Sequence, residues 1–225
     1  MYTLFFTPTA NGYKVLVMLE ALGAQYDICH INLSRDEQHL PAFSRLNRHA
    51  KIPVLLDRDN QQLVAESGAI LLYLAEKHGR FIGASLDARW QVLQWLMWQV
   101  SSLGPMAGQN YHFNHQVPEP HPYSADRYVA QTHRLFQVFE QALALQPYIC
   151  GDYSIADMSI YPWMRLHRLL RINLDGLPRT ADYLHRMTSR ADIQRAYVIG
   201  APYQERLEGD VDRVQAIADA LYGGH

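Results

Sequence analysis

The stretch Thr7-Pro8-Thr9-Ala10-Asn11-Gly12 sets hydroxyl and amide groups just ahead of an apolar run and contains neither cysteine nor serine. Taken alone, Thr9 and Asn11 are ordinary turn and cap residues. Ile52-Pro53 is a bond of the one kind that adopts cis at low cost, and its proline cannot donate to a sheet ladder, which confines it to a strand start or an edge. Glu66-Ser67-Gly68 opens a helix, where free N–H groups and the helix dipole suit an anion. His112 and His115 have the i, i+3 spacing that could offer two imidazoles to zinc, but no third ligand stands at motif spacing, so packing or cleft lining is expected. Cys29 and Cys150 form no C-x-x-C pair and are expected to pack as small apolar residues. Ser154 and Asp157 have capping-box spacing and are expected to start a helix rather than bind a ligand.

These residues need a scaffold, and composition bounds it. The chain has 225 residues, 48% hydrophobic and 19% charged, against roughly 25% charged in typical soluble domains. It is a folding sequence of a length that suits two modest cores. The formal charge of −2 supplies no general field for a nucleic-acid backbone or an anionic membrane. The longest apolar run, Ala69–Ala75, is far shorter than the ~20 residues of a membrane span, and no basic segment precedes the first apolar stretch. No nucleic-acid or membrane partner is expected, and the sparse cysteines suit a reducing, cytoplasmic setting.

Residues 1–80 alternate strand and helix signals. Tyr2–Phe6 reads as a strand, and Val15, Leu16, Met18, Leu19 and Leu22 follow helical spacing up to Gly23. Tyr26–Ile31 reads as a strand parallel to the first, followed by a polar, weakly helical stretch to Asn47. Lys51–Leu56 and Leu63–Ala65, around a turn at Asp57–Asn60, read as an antiparallel hairpin. A helix then runs to Gly79. The order β-α-β-α-β-β-α, with a proline beginning the third strand, is a thioredoxin-like α/β domain.

After a linker at residues 81–85, residues 86–225 read as an all-α domain. Leu86–Ser102 is apolar over much of its circumference, with Trp90, Trp95 and Trp98, and is expected to be a buried central helix interrupted at Leu103-Gly104-Pro105. Gln116–Tyr123 is expected to be extended. Ser124 is expected to cap a helix carrying the stripe Tyr128, Leu135, Phe136, Phe139 and Leu143. A helix after Ser154 kinked at Pro162, shorter helices near 179–188 and 192–198, and a terminal amphipathic helix through Val211, Val214, Ile217, Ala218 and Leu221 complete the reading.

A thioredoxin-like domain joined to a helical one, with Lys51-Ile52-Pro53-Val54, Glu66-Ser67-Gly68-Ala69-Ile70 and Gly151-Asp152-Tyr153-Ser154-Ile155-Ala156-Asp157, resembles the glutathione transferases over nearly the whole chain. Thr9-x-Asn11-Gly12-x-Lys14 with Gly104-Pro105-Met106-x-Gly108-Gln109-Asn110-x-His112-Phe113-Asn114-His115 looks like the Nu class of bacterial glutathione-dependent disulfide-bond oxidoreductases, with Ala10 where that class commonly has proline.

The resemblance implies glutathione as co-substrate and no metal. It places the γ-glutamyl carboxylate on the N–H and hydroxyl of Ser67 and the ammonium beside Glu66. The cysteinyl unit would pair with the backbone of Ile52 beside Pro53, as an added strand does. Lys51 and Gln38 would meet the glycine end. The thiol would lie near Thr9 and Asn11 at the N-terminus of the first helix, where donors and partial positive charge favour thiolate over a thiol of pKa about 8.5. Without a resolving cysteine, a second glutathione would complete disulfide exchange. Gln109 and, from a partner subunit of a homodimer, Arg127 would serve that second tripeptide. Two other functions use the same features: a transferase that conjugates glutathione to electrophilic carbon, and a glutathione-binding module without turnover.

Overall fold

The computed structural model describes residues 1–144 and 146–223. The chain divides into two compact units, one made of Met1–His78 with the segment from Ala191 onward, the other of Gly79–Arg190.

In the first unit, β1 (Tyr2–Phe6), β2 (Tyr26–His30), β3 (Val54–Asp57) and β4 (Gln62–Ala65) form a four-stranded sheet in the order β2-β1-β3-β4. β1 and β2 are parallel, with Leu4 opposite Ile28; β1–β3 and β3–β4 are antiparallel, with Leu4 opposite Leu55 and Val54 opposite Ala65. Helices α1 (Ala10–Leu22), α2 (Pro41–Leu46) and α3 (Ser67–His78) complete the expected thioredoxin-like order. The third strand lies later than the sequence suggests. Asp57, expected in the turn, pairs with Tyr2 and Gln62, and its buried carboxylate accepts the Tyr73 hydroxyl at 2.6 Å and the Lys77 ammonium.

Period-two alternation sends Phe5, Cys29, Val54 and Leu56 to one face of the sheet, where they pack with Phe43 and Leu46 of α2. The same cluster holds Val214 and Ala218 of α10 (Val211–Tyr222). The terminal amphipathic stripe is therefore spent on the sheet, not on the helical domain assigned to residues 86–225. On the other face Phe6 meets the Tyr13 ring of α1 edge-on, and α9 (Ala191–Gly200) stacks Tyr197 on Tyr13 with centroids 4.0 Å apart. The segment before α10 also closes the β2 edge: Asp210 accepts the His30 N–H at 2.7 Å and returns its own N–H to the His30 carbonyl at 2.8 Å. Arg213 reaches Asp27 and, at 2.9 Å, the Ile28 carbonyl. Such bonds satisfy an edge strand that would otherwise expose its ladder groups.

The second unit contains α4 (Leu86–Trp98), α5 (Gly104–His115), α6 (Pro122–Leu143), α7 (Ile155–Met164) and α8 (Pro178–Thr188). Residues 81–85, expected as a linker, are tied into this unit by the Ile155 N–H to the Phe81 carbonyl (2.9 Å) and by Ser85, which caps α4 through the Ala88 N–H. Helix α4 is not buried all round. Val92 and Leu96 face the core, whereas Trp90 is 55% and Met97 50% exposed. Nor do Gly104 and Pro105 break the chain. A π-helical turn over Gln99–Leu103, in which the Gly104 N–H bonds the Gln99 carbonyl, shifts the ladder so that the proline's missing donor falls in the first turn of α5. A Cβ on Gly104 would lie 2.8 Å from Gln99 Nε2 and 3.2 Å from the Gln99 carbonyl oxygen, so a side chain there would require Gln99 to shift. Pro122 starts α6 two residues before Ser124, a placement that suits proline's fixed φ. The stripe Leu135, Phe136, Phe139 and Leu143 is buried as expected. The Asp157 carboxylate accepts the N–H groups of Ile149 and Ser154, so this pair starts α7 as the spacing implied. Pro162 lies inside α7.

Candidate active site

The turn from β1 into α1 is tight. Thr7 donates its hydroxyl to the Ile31 carbonyl, and Thr9 bonds the Thr7 carbonyl through its N–H at 2.7 Å. Thr9 has the extended backbone of an N-cap, and its Oγ1 accepts the Gly12 N–H at 3.1 Å. A Cβ at Gly12 would come within 2.3 Å of the Thr7 carbonyl, so only glycine allows this turn. With an acceptor site of Thr9 used by the cap, its hydroxyl proton can be given to a ligand. No acidic residue stands in the first turn of α1 to cancel the positive end of the dipole. Asn11 sits half-buried in that turn.

The bond between Ile52 and Pro53 is cis. The ladder of β3 starts at Val54, which leaves Lys51, Ile52 and Pro53 ahead of it. Asn47 donates its amide to the Lys51 carbonyl at 2.8 Å and anchors the approach. Lys51 is exposed and Pro53 buried.

Glu66 occupies the left-handed region at φ 70°, a conformation that costs a non-glycine residue about 1–3 kcal/mol and turns the chain abruptly from β4 into α3. Its carboxylate is exposed and faces His49 Nδ1 at 3.7 Å. Ser67, the first residue of α3, is buried, and its Oγ accepts from Lys14 Nζ at 3.3 Å. Lys14 is only 1% exposed. Burial pushes its ammonium down to about 7, against the opposing pull of Glu66. Lys14 and Ser67 thus tie α1 to the start of α3, and Glu66, just before α3, lies near His49 of the 47–51 loop. Lys14 is a buried neighbour of Ser67 that sequence reasoning placed only in the Thr9-x-Asn11-Gly12-x-Lys14 motif, without a role. Besides that motif, its signal was a cation set against Val15, Leu16 and Val17.

The other expected residues make none of these bonds. Gln38 donates to Asp36 Oδ1 at 3.3 Å, its Oε1 is buried without a hydrogen bond, and no hydrogen bond links it to Lys51. Gln109 on α5 and Arg127 on α6 are exposed residues of the second unit. His115 Nε2 is bonded to the Leu169 carbonyl at 2.7 Å, and among the described residues no group of three or more His, Cys, Asp or Glu could hold a metal ion. Burial pushes the thiols of Cys29 and Cys150 up to about 12, each further raised by a nearby aspartate, so neither forms a thiolate at neutral pH.

The model of the glutathione S-transferase N-terminal domain matches residues 1–76, and that of the C-terminal domain residues 102–191. The chain belongs to the glutathione S-transferase family. Within that family it is 41% identical over 196 residues to the disulfide-bond oxidoreductase YfcG of Escherichia coli, covering 84% of this chain and 91% of the relative. A glutathione transferase from Pseudomonas putida, solved with one glutathione disulfide per subunit, superposes with TM-score 0.83 and 34% identity over 87% of this chain and 90% of the other. A glutathione transferase from Burkholderia graminis, solved with two glutathione molecules per subunit, gives 0.81 and 34% over 87% and 86%. Like these transferases the chain pairs a thioredoxin-like sheet with helices, and among the described residues no helix is long and apolar enough to cross a membrane.

Proposed function

We propose that this protein reduces disulfides with glutathione, using a bound glutathione thiolate as nucleophile and a second glutathione as resolving thiol. The observation that carries this reading is the N-terminus of α1: Thr9 has a hydroxyl proton to give, no acid lies in the first turn, and the protein's own thiols are held near 12. The reactive sulfur must then be brought by a ligand. YfcG's name as a disulfide-bond oxidoreductase, and the glutathione disulfide or paired glutathiones held by the structural relatives, support the same chemistry.

In this reading Thr9 and Asn11 donate to the thiolate. The Ser67 N–H and hydroxyl hold the γ-glutamyl carboxylate, and Glu66 holds the ammonium. Ile52, before Pro53 and outside the ladder, pairs with the cysteinyl backbone, while Lys51 and Gln38 serve the glycine carboxylate. Gln109 and Arg127 serve the second tripeptide, Arg127 from the other subunit of a homodimer. The thiolate attacks one sulfur of the substrate disulfide; a mixed disulfide forms and the other sulfur leaves as thiolate, which takes a proton. The second glutathione then attacks the mixed disulfide, releasing glutathione disulfide and the second product thiol.

The deciding experiment compares rates on a model disulfide and on a chlorinated aromatic at the same glutathione concentration. Faster disulfide reduction is expected; the opposite ranking would make the protein a conjugating transferase.

A further inference from the structure

One side chain holds the loop from Asn47 to Lys51. Asn47 is buried at the end of α2, where its N–H bonds the Phe43 carbonyl at 2.8 Å. Its own carbonyl accepts the Ala50 N–H at 2.8 Å, and Ala50 stands in the left-handed region at φ 51°. Its Oδ1 accepts the His49 N–H at 3.0 Å, while its Nδ2 donates to the Lys51 carbonyl at 2.8 Å. These two partners fix which way the amide faces, because an N–H can only donate and a carbonyl can only accept.

The effect passes through a single peptide plane. The Lys51 carbonyl and the Ile52 N–H belong to the same peptide unit, which is trans. In a planar trans peptide these two groups point in opposite directions. A carbonyl drawn toward the buried Asn47 amide therefore turns the Ile52 N–H away from it. The Ile52 side chain packs against the core cluster that contains Phe5 and Phe43, which gives the same unit a second anchor. Ile52 lies ahead of the first ladder pair of β3, at Val54, and among the described residues neither its N–H nor its carbonyl bonds another main-chain group. Pro53 has no N–H, so Ile52 offers the last main-chain donor before the ladder begins. A donor fixed in direction and not used by the sheet suits the carbonyl of an extended ligand.

We propose that Asn47 is a positioning residue of the glutathione site: by holding the Lys51 carbonyl it aims the Ile52 N–H at the cysteinyl carbonyl of the tripeptide. This rests on the pairing of Ile52 with the cysteinyl backbone given above. The role is one of orientation, since Asn47 acts on the ligand only through the peptide unit between Lys51 and Ile52.

The test uses calorimetry with two probes: reduced glutathione, and an analogue in which a trans carbon–carbon double bond replaces the amide between cysteine and glycine. The analogue keeps the thiol, the ammonium and both carboxylates but lacks the cysteinyl carbonyl. Asn47→Asp keeps an acceptor for the His49 N–H and sets an oxygen in place of the Nδ2 donor, against the Lys51 carbonyl. It is expected to weaken glutathione binding about three- to tenfold, the effect of one neutral hydrogen bond, and binding of the analogue by less than about twofold. A charge effect of the new acid would fall on both probes alike. Unchanged glutathione affinity in the variant, or an equal loss for both probes, would overturn the proposal. Failure of the unaltered protein to bind glutathione at all would instead remove the function proposed above, and this role with it. Should Asn47→Asp not fold, the unaltered protein labelled with ¹⁵N-asparagine decides. Donation by the Ile52 N–H polarises the Lys51 carbonyl and strengthens the bond that it accepts from Asn47. The Asn47 side-chain amide resonance is then expected to move on saturation with glutathione and to move far less on saturation with the analogue; equal responses would refute the role.

Discussion

Lys14 Nζ lies 3.3 Å from Ser67 Oγ, joining the first helix to the start of the third from inside the core. A buried lysine with its ammonium lowered to about 7 makes ligand-free stability depend on pH. Between about pH 7 and 10 the unfolded chain keeps the Lys14 proton while the folded one has lost it, so stability rises with pH. The slope is roughly 1.4 kcal/mol per pH unit at most. Thermal or urea unfolding of the ligand-free protein is expected to show this rise, and Lys14→Met to lack it and to be the more stable near pH 7. Equal pH profiles would contradict the burial of a charge there.

Thr9 has two tasks, capping Gly12 and donating to a bound thiolate, and substitution separates them. Thr9→Ala is expected to cost about 1 kcal/mol of stability through the lost cap and about 10- to 100-fold in kcat/KM through the lost donor. Thr9→Ser should restore both. Steady-state rates with a model disulfide, together with the unfolding midpoint, check this; a full rate in Thr9→Ala would show that its hydroxyl does not touch the sulfur.

Cys29 and Cys150 should be dispensable for turnover, because thiols held near 12 supply no thiolate at neutral pH. The double variant Cys29→Ala with Cys150→Ala is expected to keep activity within about twofold, with some loss of stability from the fully buried Cys29 site. Loss of disulfide reduction in a folded variant would point to a protein thiol in the reaction.

The sequence showed the first unit almost element by element because its signals are local. Strand runs end at turn residues, Gly23 follows the stripe of α1, and Pro53 precedes the ladder it cannot join. It marked Thr9, Asn11, Pro53, Glu66 and Ser67 as a group only through their resemblance to a family, since each alone reads as a turn, a strand start or a cap. Packing partners were not legible. The stripe Val214, Ile217, Ala218 and Leu221 announces an apolar face but not which surface covers it, and here Phe5, Phe43 and Val54 do. Trp90 and Met97 are apolar yet exposed, and Pro105 continues a helix because a π-helical turn absorbs its missing donor. Lys14 stood in the motif Thr9-x-Asn11-Gly12-x-Lys14, but its contact with Ser67 was hidden for the same reason, as the two are 53 positions apart.

The docking of the C-terminal segment on the sheet edge can be measured separately. Asp210 is bonded both ways with the main chain of His30, so Asp210→Ala leaves the His30 N–H without its acceptor. A loss of roughly 1–3 kcal/mol is expected in denaturant unfolding, with faster hydrogen exchange at His30. Unaltered exchange there would mean that the segment does not hold the edge strand.

The central claim is that the positive end of α1 turns a ligand's thiol into a thiolate. The most direct test is an ultraviolet titration of the thiolate absorbance of glutathione bound to the protein. A bound thiol that ionises at least one pH unit below the free value of about 8.5, and moves back toward it in Thr9→Ala, is expected. Ionisation at the free value in the unaltered protein, with glutathione demonstrably bound, would contradict the claim.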